Sequence, residues 1–230
     1  MIEWRIHHSA VTASTNLDAR AGSHGDVYTA DFQTAGRGRL NHKWLSSPSE
    51  NLAMSAVLSV EGVEPHEAAT LPLAVGLAVA TAIGGRVKWP NDVLVGGRKV
   101  AGILCERNGD CVIVGIGVNV RQTEFPPEIA ESAASLVMLG QADASVEDVR
   151  DRILSNLGEV YERWRRGGFA SVYGEIAALD CLKGMRLAVR QTDSDAAPVR
   201  GACGGIMEDG ALDVGGVRVY AGEAHVEEME

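Results

Sequence analysis

Basic residues are scarce: the 230-residue chain carries 21 Lys and Arg against 31 Asp and Glu, a formal charge of −10. That balance argues against a nucleic-acid binder working through a general basic surface, because phosphate affinity comes mostly from clustered Lys and Arg. It leaves room for a local basic pocket that holds a nucleotide. Cysteine is sparse as well, and Cys105, Cys111, Cys181 and Cys203 show no Cys-x-x-Cys spacing. They read as buried thiols of a reduced cytoplasm rather than as a zinc site or a disulfide frame. No apolar run is long enough to span a bilayer: the most apolar stretch, residues 68–83, is interrupted by Pro72 and Gly76. The first residues, with Glu3, Arg5, His7 and His8, form no apolar signal core. Neither a membrane nor a nucleic-acid partner is expected. There is no internal repeat and no low-complexity tract.

What is present suits a soluble globular chain with a real core, at 46% hydrophobic and 23% charged residues. Residues 3–8 read as a short strand, and Ser14, Thr15 and Asn16 as a helix start whose side chain caps free N–H groups. Residues 26–33 read as a strand running into a Gly/Arg loop, and residues 52–60 as a second strand. A helix is expected over 65–83, kinked at Pro72 and ended by Gly84 and Gly85. Strands at 86–89, 93–95, 99–107 and 112–120 follow, with Gly-Gly and Asn-Gly turns that signal hairpins. The middle of the chain is therefore an antiparallel meander, not a βαβ series. Ser145 opens a long amphipathic helix carrying Val146, Val149, Ile153, Leu157, Val160, Tyr161 and Trp164 at helical spacing. A shorter helix covers 170–179. From about Asp180 the chain turns glycine-rich with short alternating strands, which places a domain boundary there and a small β appendage over 181–230. The histidines are taken as surface or satisfied groups, and residues 223–230 as a solvated acidic tail.

Several segments carry chemistry. In Gly36, Arg37, Gly38 and Arg39 the glycines allow close backbone approach, and the arginines, with Lys43 nearby, offer forked donors to carboxylate or phosphate oxygens. The third glycine of a dinucleotide fingerprint and the Gly-Lys-Ser/Thr of a P-loop are both absent. Lys88 ends an apolar strand, backed by Trp89 and the Pro90, Asn91, Asp92 turn, where a fixed cation can stabilise charge developing between a carboxylate and an α-phosphate. Lys99 precedes Ala101, Gly102, Ile103 and Leu104. Gly115 and Gly117 interrupt the next strand, as though something approaches the backbone closely, and Asn119 is polar in an apolar strand end.

Taken in this order, Ser14–Thr15–Asn16, Gln33 with the Gly36 to Arg39 loop and Trp44, Lys88–Trp89–Pro90–Asn91–Asp92, Lys99 with Ala101 to Leu104, and Gly115 to Val120 make the chain resemble the biotin–protein ligases. The resemblance is strong over residues 11–120 and loose beyond. It implies an α+β fold: a mixed, largely antiparallel sheet flanked by helices in residues 1–180, and a small C-terminal SH3-like β-barrel domain in residues 181–230. With the first motif at Ser14, it also implies the single-function type that lacks an N-terminal DNA-binding domain. The expected activity is ATP-dependent biotin–[biotin carboxyl-carrier protein] ligation: biotin is activated to biotinyl-5′-AMP, then passed to a lysine of a biotin carboxyl carrier protein or domain, of acetyl-CoA carboxylase or a similar enzyme. Biotin and ATP are the substrates, Mg2+ the cofactor, the cytoplasm the compartment, and a homodimer through a sheet edge is possible.

Roles carry over from the resemblance by position. Ser14, Thr15, Asn16, Gln33, Gly36, Arg37, Gly38, Arg39, Lys88 and Gly102 would bind biotin. Arg39, Trp44, Lys88, Asn91, Lys99 and Asn119 would bind ATP or the adenylate, and Lys88, Arg39 and Arg37 would carry catalysis. Asn41 and His42 depart from the glycine and arginine that family members often have. Two alternatives stand: a lipoate or octanoate ligase or transferase on the same fold, against which no cysteine accompanies the glycine loop in sequence, and a non-catalytic biotin-binding sensor.

Overall fold

The computed structural model describes residues 2–45, 47–192 and 196–227, with the Asn41 side chain outside the described set. The main sheet has seven strands: β1 (Arg5–Thr12), β2 (Asp26–Gln33), β3 (Asn51–Ser59), β4 (Arg86–Lys88), β5 (Asp92–Val95), β6 (Arg98–Asn108) and β7 (Cys111–Asn119), in the order β1-β2-β3-β7-β6-β5-β4. Every pairing is antiparallel except β1 with β2, which are joined through the short helix α1 (Thr15–Asp18) and run parallel. The β4 to β7 meander is the one its Gly-Gly and Asn-Gly turns call for: Gly96, Gly97 and Gly109 all take positive φ.

Residues 65–83 form two helices rather than one kinked helix. α2 (Pro65–Ala68) and α3 (Leu71–Ile83) are separated at Ala69 and Thr70, and each proline lies in a first turn. Pro lacks an N–H, and the first helical turn needs none, so proline starts each helix here instead of bending one. Gly84, at φ 69°, ends α3 in the left-handed conformation. Taken together, Pro65–Ile83 is 19 residues with mean hydropathy 1.4, long and apolar enough to cross a membrane, which corrects the sequence expectation. Its apolar side chains lie in the protein core instead: nearly all of α3 is buried. α4 (Val146–Gly167) and α5 (Ala170–Leu179) pack on it, and the Ser145 hydroxyl caps α4 by accepting from Asp148 N at 3.0 Å.

The C-terminal strands β8 (Arg186–Arg190), β9 (Val199–Ile206), β10 (Leu212–Val214), β11 (Val217–Val219) and β12 (Glu223–Val226) form a second, five-stranded antiparallel sheet, ordered β11-β10-β9-β8-β12. One apolar core runs through both sheets, from Leu52 and Ile116 to Leu187 and Leu212. Polar ties join them too: Asp180 accepts from Leu182 N and Ile206 N at 2.9 Å, and Trp89 Nε1 donates to Gly210 O at 3.1 Å. Residues 223–226 are thus a strand and not part of a solvated tail; 228–230 fall outside the described residues.

Candidate functional site

Strand alternation decides which residues meet. Side chains two apart share a face, and on the helix-covered face of the main sheet lie Leu52, Met54, Val114, Ile116, Val118 and Ile103, all buried. The opposite face carries Ala53 and Ser55 of β3, Gly115 and Gly117 of β7, and Gly102, Leu104 and Glu106 of β6. The small residues leave a hollow there, a cavity of about 250 Å³ with a floor of β-sheet backbone. A Cβ on Gly117 would lie 2.4 Å from the Trp44 indole, and one on Gly115 would lie 2.3 Å from Asn16 Oδ1. These are the close approaches that glycine in a strand foreshadowed.

One wall is a buried polar network. Gln33 Oε1 accepts from Thr15 N at 2.8 Å and from Thr15 Oγ1 at 3.2 Å. The Ser55 hydroxyl, fully buried, has Thr15 Oγ1 at 2.7 Å and Asn16 Oδ1 at 2.6 Å as acceptors for its single proton. Asn16 Nδ2 donates to Glu106 Oε2 at 2.6 Å. Ser14 lies at the same wall, but its side chain caps no helix N–H, so the capping role expected for it is not realised. Thr15, Asn16, Ser55 and Glu106 bond one another and Gln33 joins them through Oε1, which stiffens the wall, while Gln33 Nε2 and the Ser14 hydroxyl have no hydrogen-bond partner among the described residues.

The facing wall is the glycine loop. Gly38 N donates to His42 O, and Trp44 N to Gly36 O, so the loop folds back on itself. Leu40, at φ 51°, takes the left-handed conformation, which only the tight loop imposes on so bulky a residue. Arg37 reaches Glu106 at 3.3 Å. Arg39 Nη1 donates to Asn91 Oδ1 at 3.2 Å and, across to the second sheet, to Gly222 O at 3.4 Å. β12 closes the rim with Glu223, Ala224 and His225, and His42 Nδ1 lies 3.6 Å from Glu223 Oε1.

Cations crowd the remaining end. Lys88, Lys43 and Lys99 line the cavity with both arginines. Lys99 Nζ is held 2.7 Å from Asp92 Oδ1 and 5.9 Å from the Trp44 ring centroid, whereas Lys88 forms no ion pair among the described residues. The Trp44 indole lies against Gly102 and Gly117, with its Nε1 buried and without a hydrogen-bond partner among the described residues. A buried N–H left so is a donor awaiting a partner.

The structure thus gathers Ser14, Thr15, Asn16, Gln33, Arg37, Gly38, Arg39, Trp44, Lys88, Asn91, Lys99 and Gly102 around one cavity. Asn119 is not brought there: it is buried, donates to Ala134 O at 3.2 Å, and holds the end of β7 to the following loop. Gly36 is buried behind the cavity wall, where a Cβ would lie 2.7 Å from Trp44 O. Ser55, Glu106, Glu223 and His225 were missed from sequence; period two along β6 puts Glu106 on the face of Gly102, whereas Ser55 comes there only through the pairing of β3 with β7. A second cavity of about 400 Å³ adjoins across Arg37, Gly38 and Arg39, and Cys105 lines it. Cys105 thus shares the lining of this second cavity with the glycine loop. Burial pushes its thiol up to about 12, which makes it a protonated thiol and a poor nucleophile.

Residues 9–119 match the biotin/lipoate A/B protein ligase family. A biotin–[acetyl-CoA-carboxylase] ligase of Paracoccus denitrificans is 33% identical over 224 residues, covering 88% of this chain and 91% of that one. The protein of the same name from Mycobacterium tuberculosis is 37% identical over 178 residues, which is 70% of this chain and 66% of that one. The match covers 49% of two bifunctional ligase/repressors from Bacillus, so the chain spans about half to two thirds of the length of these two and of the Mycobacterium tuberculosis ligase. In structure, the biotin protein ligase from Aquifex aeolicus in complex with biotin and ATP superposes with a TM-score of 0.86 at 29% identity, covering 97% of this chain and 99% of that one.

Proposed function

The chain belongs to the biotin/lipoate A/B protein ligase family, and we propose that within it this protein is a biotin ligase. It activates biotin with ATP to biotinyl-5′-AMP and transfers biotin to a lysine of a biotin carboxyl carrier domain. The observation that carries the choice of acid is the wall of buried Thr15, Asn16 and Ser55 with half-buried Gln33, hydroxyls and amides beside a cluster of cations. A ureido ring offers two N–H donors and a carbonyl acceptor to such a wall. The alkyl chain of octanoate or the dithiolane of lipoate offers neither, and each polar group buried against them without a partner costs about 1–3 kcal/mol.

In the first step a biotin carboxylate oxygen attacks the α-phosphorus of ATP and pyrophosphate leaves. Lys88 and Arg39 are proposed to neutralise the charge that develops between carboxylate and phosphate, where preorganised donors count most. In the second, the acceptor amine attacks the acyl carbon of the mixed anhydride, a C–N bond replaces the C–O bond, and AMP departs. The chain needs no nucleophile of its own; it positions the reactants and, by the glycine loop, keeps water from the anhydride. Among the described residues no group of three His, Cys, Asp or Glu is arranged to hold a metal, and Asp92 is already paired with Lys99. Mg2+ is accordingly proposed to arrive on the phosphates of ATP as part of that substrate. The sheet formed by β8 to β12 is proposed to be a small domain over residues 181–230 that completes the rim of the cavity.

Pyrophosphate exchange into ATP, measured with biotin, lipoate and octanoate in turn, tests this reading. Exchange driven by biotin alone is expected. Exchange with lipoate or octanoate while biotin is inert sinks the biotin assignment, and biotin binding without exchange identifies a sensor.

A further inference from the structure

Glu106 belongs to none of the motifs and does not itself line the cavity, yet it ties Asn16 of the polar wall to Arg37 of the glycine loop. On β6 it follows Gly102 and Leu104 at period two, so it rises from the same face as the cavity floor. It accepts from Asn16 Nδ2 at 2.6 Å and from Arg37 Nη2 at 3.3 Å. The first contact sets the polarity of the wall. With Nδ2 turned to Glu106, Asn16 Oδ1 faces the Ser55 hydroxyl at 2.6 Å; the other acceptor within reach of Nδ2, Leu104 O, is at 3.4 Å. The second contact holds the glycine loop against that wall.

From this geometry we infer that Glu106 is a positioning residue for the ring of the acid substrate, acting through Asn16 and Arg37. The inference rests on the biotin reading above. Its arms differ in strength. The Asn16 side chain is buried and its bond is charge-assisted, worth about 1.5–3 kcal/mol. The Arg37 pair is 42% and 27% exposed in its side chains and long, the kind of ion pair that contributes about 0–1 kcal/mol.

Biotin-dependent pyrophosphate exchange separates the arms. Glu106→Ala is expected to raise the apparent KM for biotin about 10- to 100-fold while the maximal rate stays within about threefold. Glu106→Gln keeps a neutral acceptor for Asn16 and gives up the charge on both contacts, so its KM is expected to rise less than that of Glu106→Ala, by about fivefold. Melting temperatures check that each variant is folded; should Glu106→Ala not fold, Glu106→Met fills its volume without an acceptor and is read in its place. A KM within twofold of wild type for a folded acceptor-less variant overturns the inference. So does a loss confined to maximal rate or melting temperature, or a Gln variant no better than the Ala one. Wild-type protein that shows no exchange with biotin overturns the underlying reading and this inference together, which distinguishes the two failures.

Discussion

The two walls of the cavity are built to opposite specifications. The Thr15, Asn16, Gln33 and Ser55 wall is made of short side chains anchored on α1 and neighbouring strands, mostly buried and bonded to one another at 2.6–3.2 Å. The Arg37 to Trp44 wall is a loop of long, partly exposed side chains whose ties to the rest of the molecule run to 3.2–3.6 Å. Rigid hydrogen-bonding groups discriminate between ligands because an unpaired buried partner is costly. Cations serve charge that appears only during reaction, and a loop held by few and long contacts is the kind that opens and closes at little cost. On the proposed biotin-ligase reading, identity of the acid falls to one wall, and chemistry and water exclusion to the other.

Variants can break or sharpen that division. The largest effect is expected from Lys88→Ala at the charged end: biotin-dependent pyrophosphate exchange should fall about 10²–10³-fold in maximal rate, the range for loss of one transition-state donor, with biotin affinity little changed when read by calorimetry. Gly115→Ala strikes the rigid wall instead. Its Cβ would sit 2.3 Å from Asn16 Oδ1, in a network that cannot yield, so biotin affinity should weaken about 10- to 100-fold while the KM for ATP holds. An equal loss for both substrates would show that the walls are not separable. Arg39→Ala removes the contacts to Asn91 and Gly222 from the loop wall, and about a tenfold loss in kcat/KM for ATP is expected, together with faster hydrolysis of bound adenylate in a phosphate-release assay.

The smallest effect on activity belongs to Asp26, at the far side of the main sheet. Its carboxyl is lowered from 3.8 to about 2, first by the hydrogen bond from Ser23 N and then by His7 and Arg5. A folded-state value below the unfolded one means stability that is present above about pH 4 and lost as pH falls toward 2. Asp26→Asn should cost about 1–2 kcal/mol at neutral pH, flatten the acid limb of the melting temperature against pH, and leave the KM for biotin at the wild-type value.

Much of this was legible in the chain. β2 runs over Asp26–Gln33 as its pattern indicates, the hairpin turns of the meander fall at Gly96, Gly97 and Gly109, and Ser145 caps α4. Local rules govern these features: alternation, positive φ and caps are properties of neighbouring residues. The parallel pairing of β1 with β2 was not visible, because register between strands depends on partners distant in sequence. Pro72 was read as a kink where it starts a helix: its missing N–H suits either place, and only the backbone shows the break at Ala69 and Thr70.

The site divides the same way. Residue types and their order singled out Ser14 to Asn16, Gln33, the glycine loop and Lys88, for each carries its donor or charge wherever it is placed. Only the tertiary structure decided that Asn119 faces Ala134 and not the cavity, that Ser55 and Glu106 complete the polar wall, and that Glu223 and His225 of β12 form its rim. The physical reason is burial and direction: a polar side chain in a strand shows its donors in the sequence, but what those donors meet depends on which face of the sheet it occupies and what the rest of the chain lays against that face.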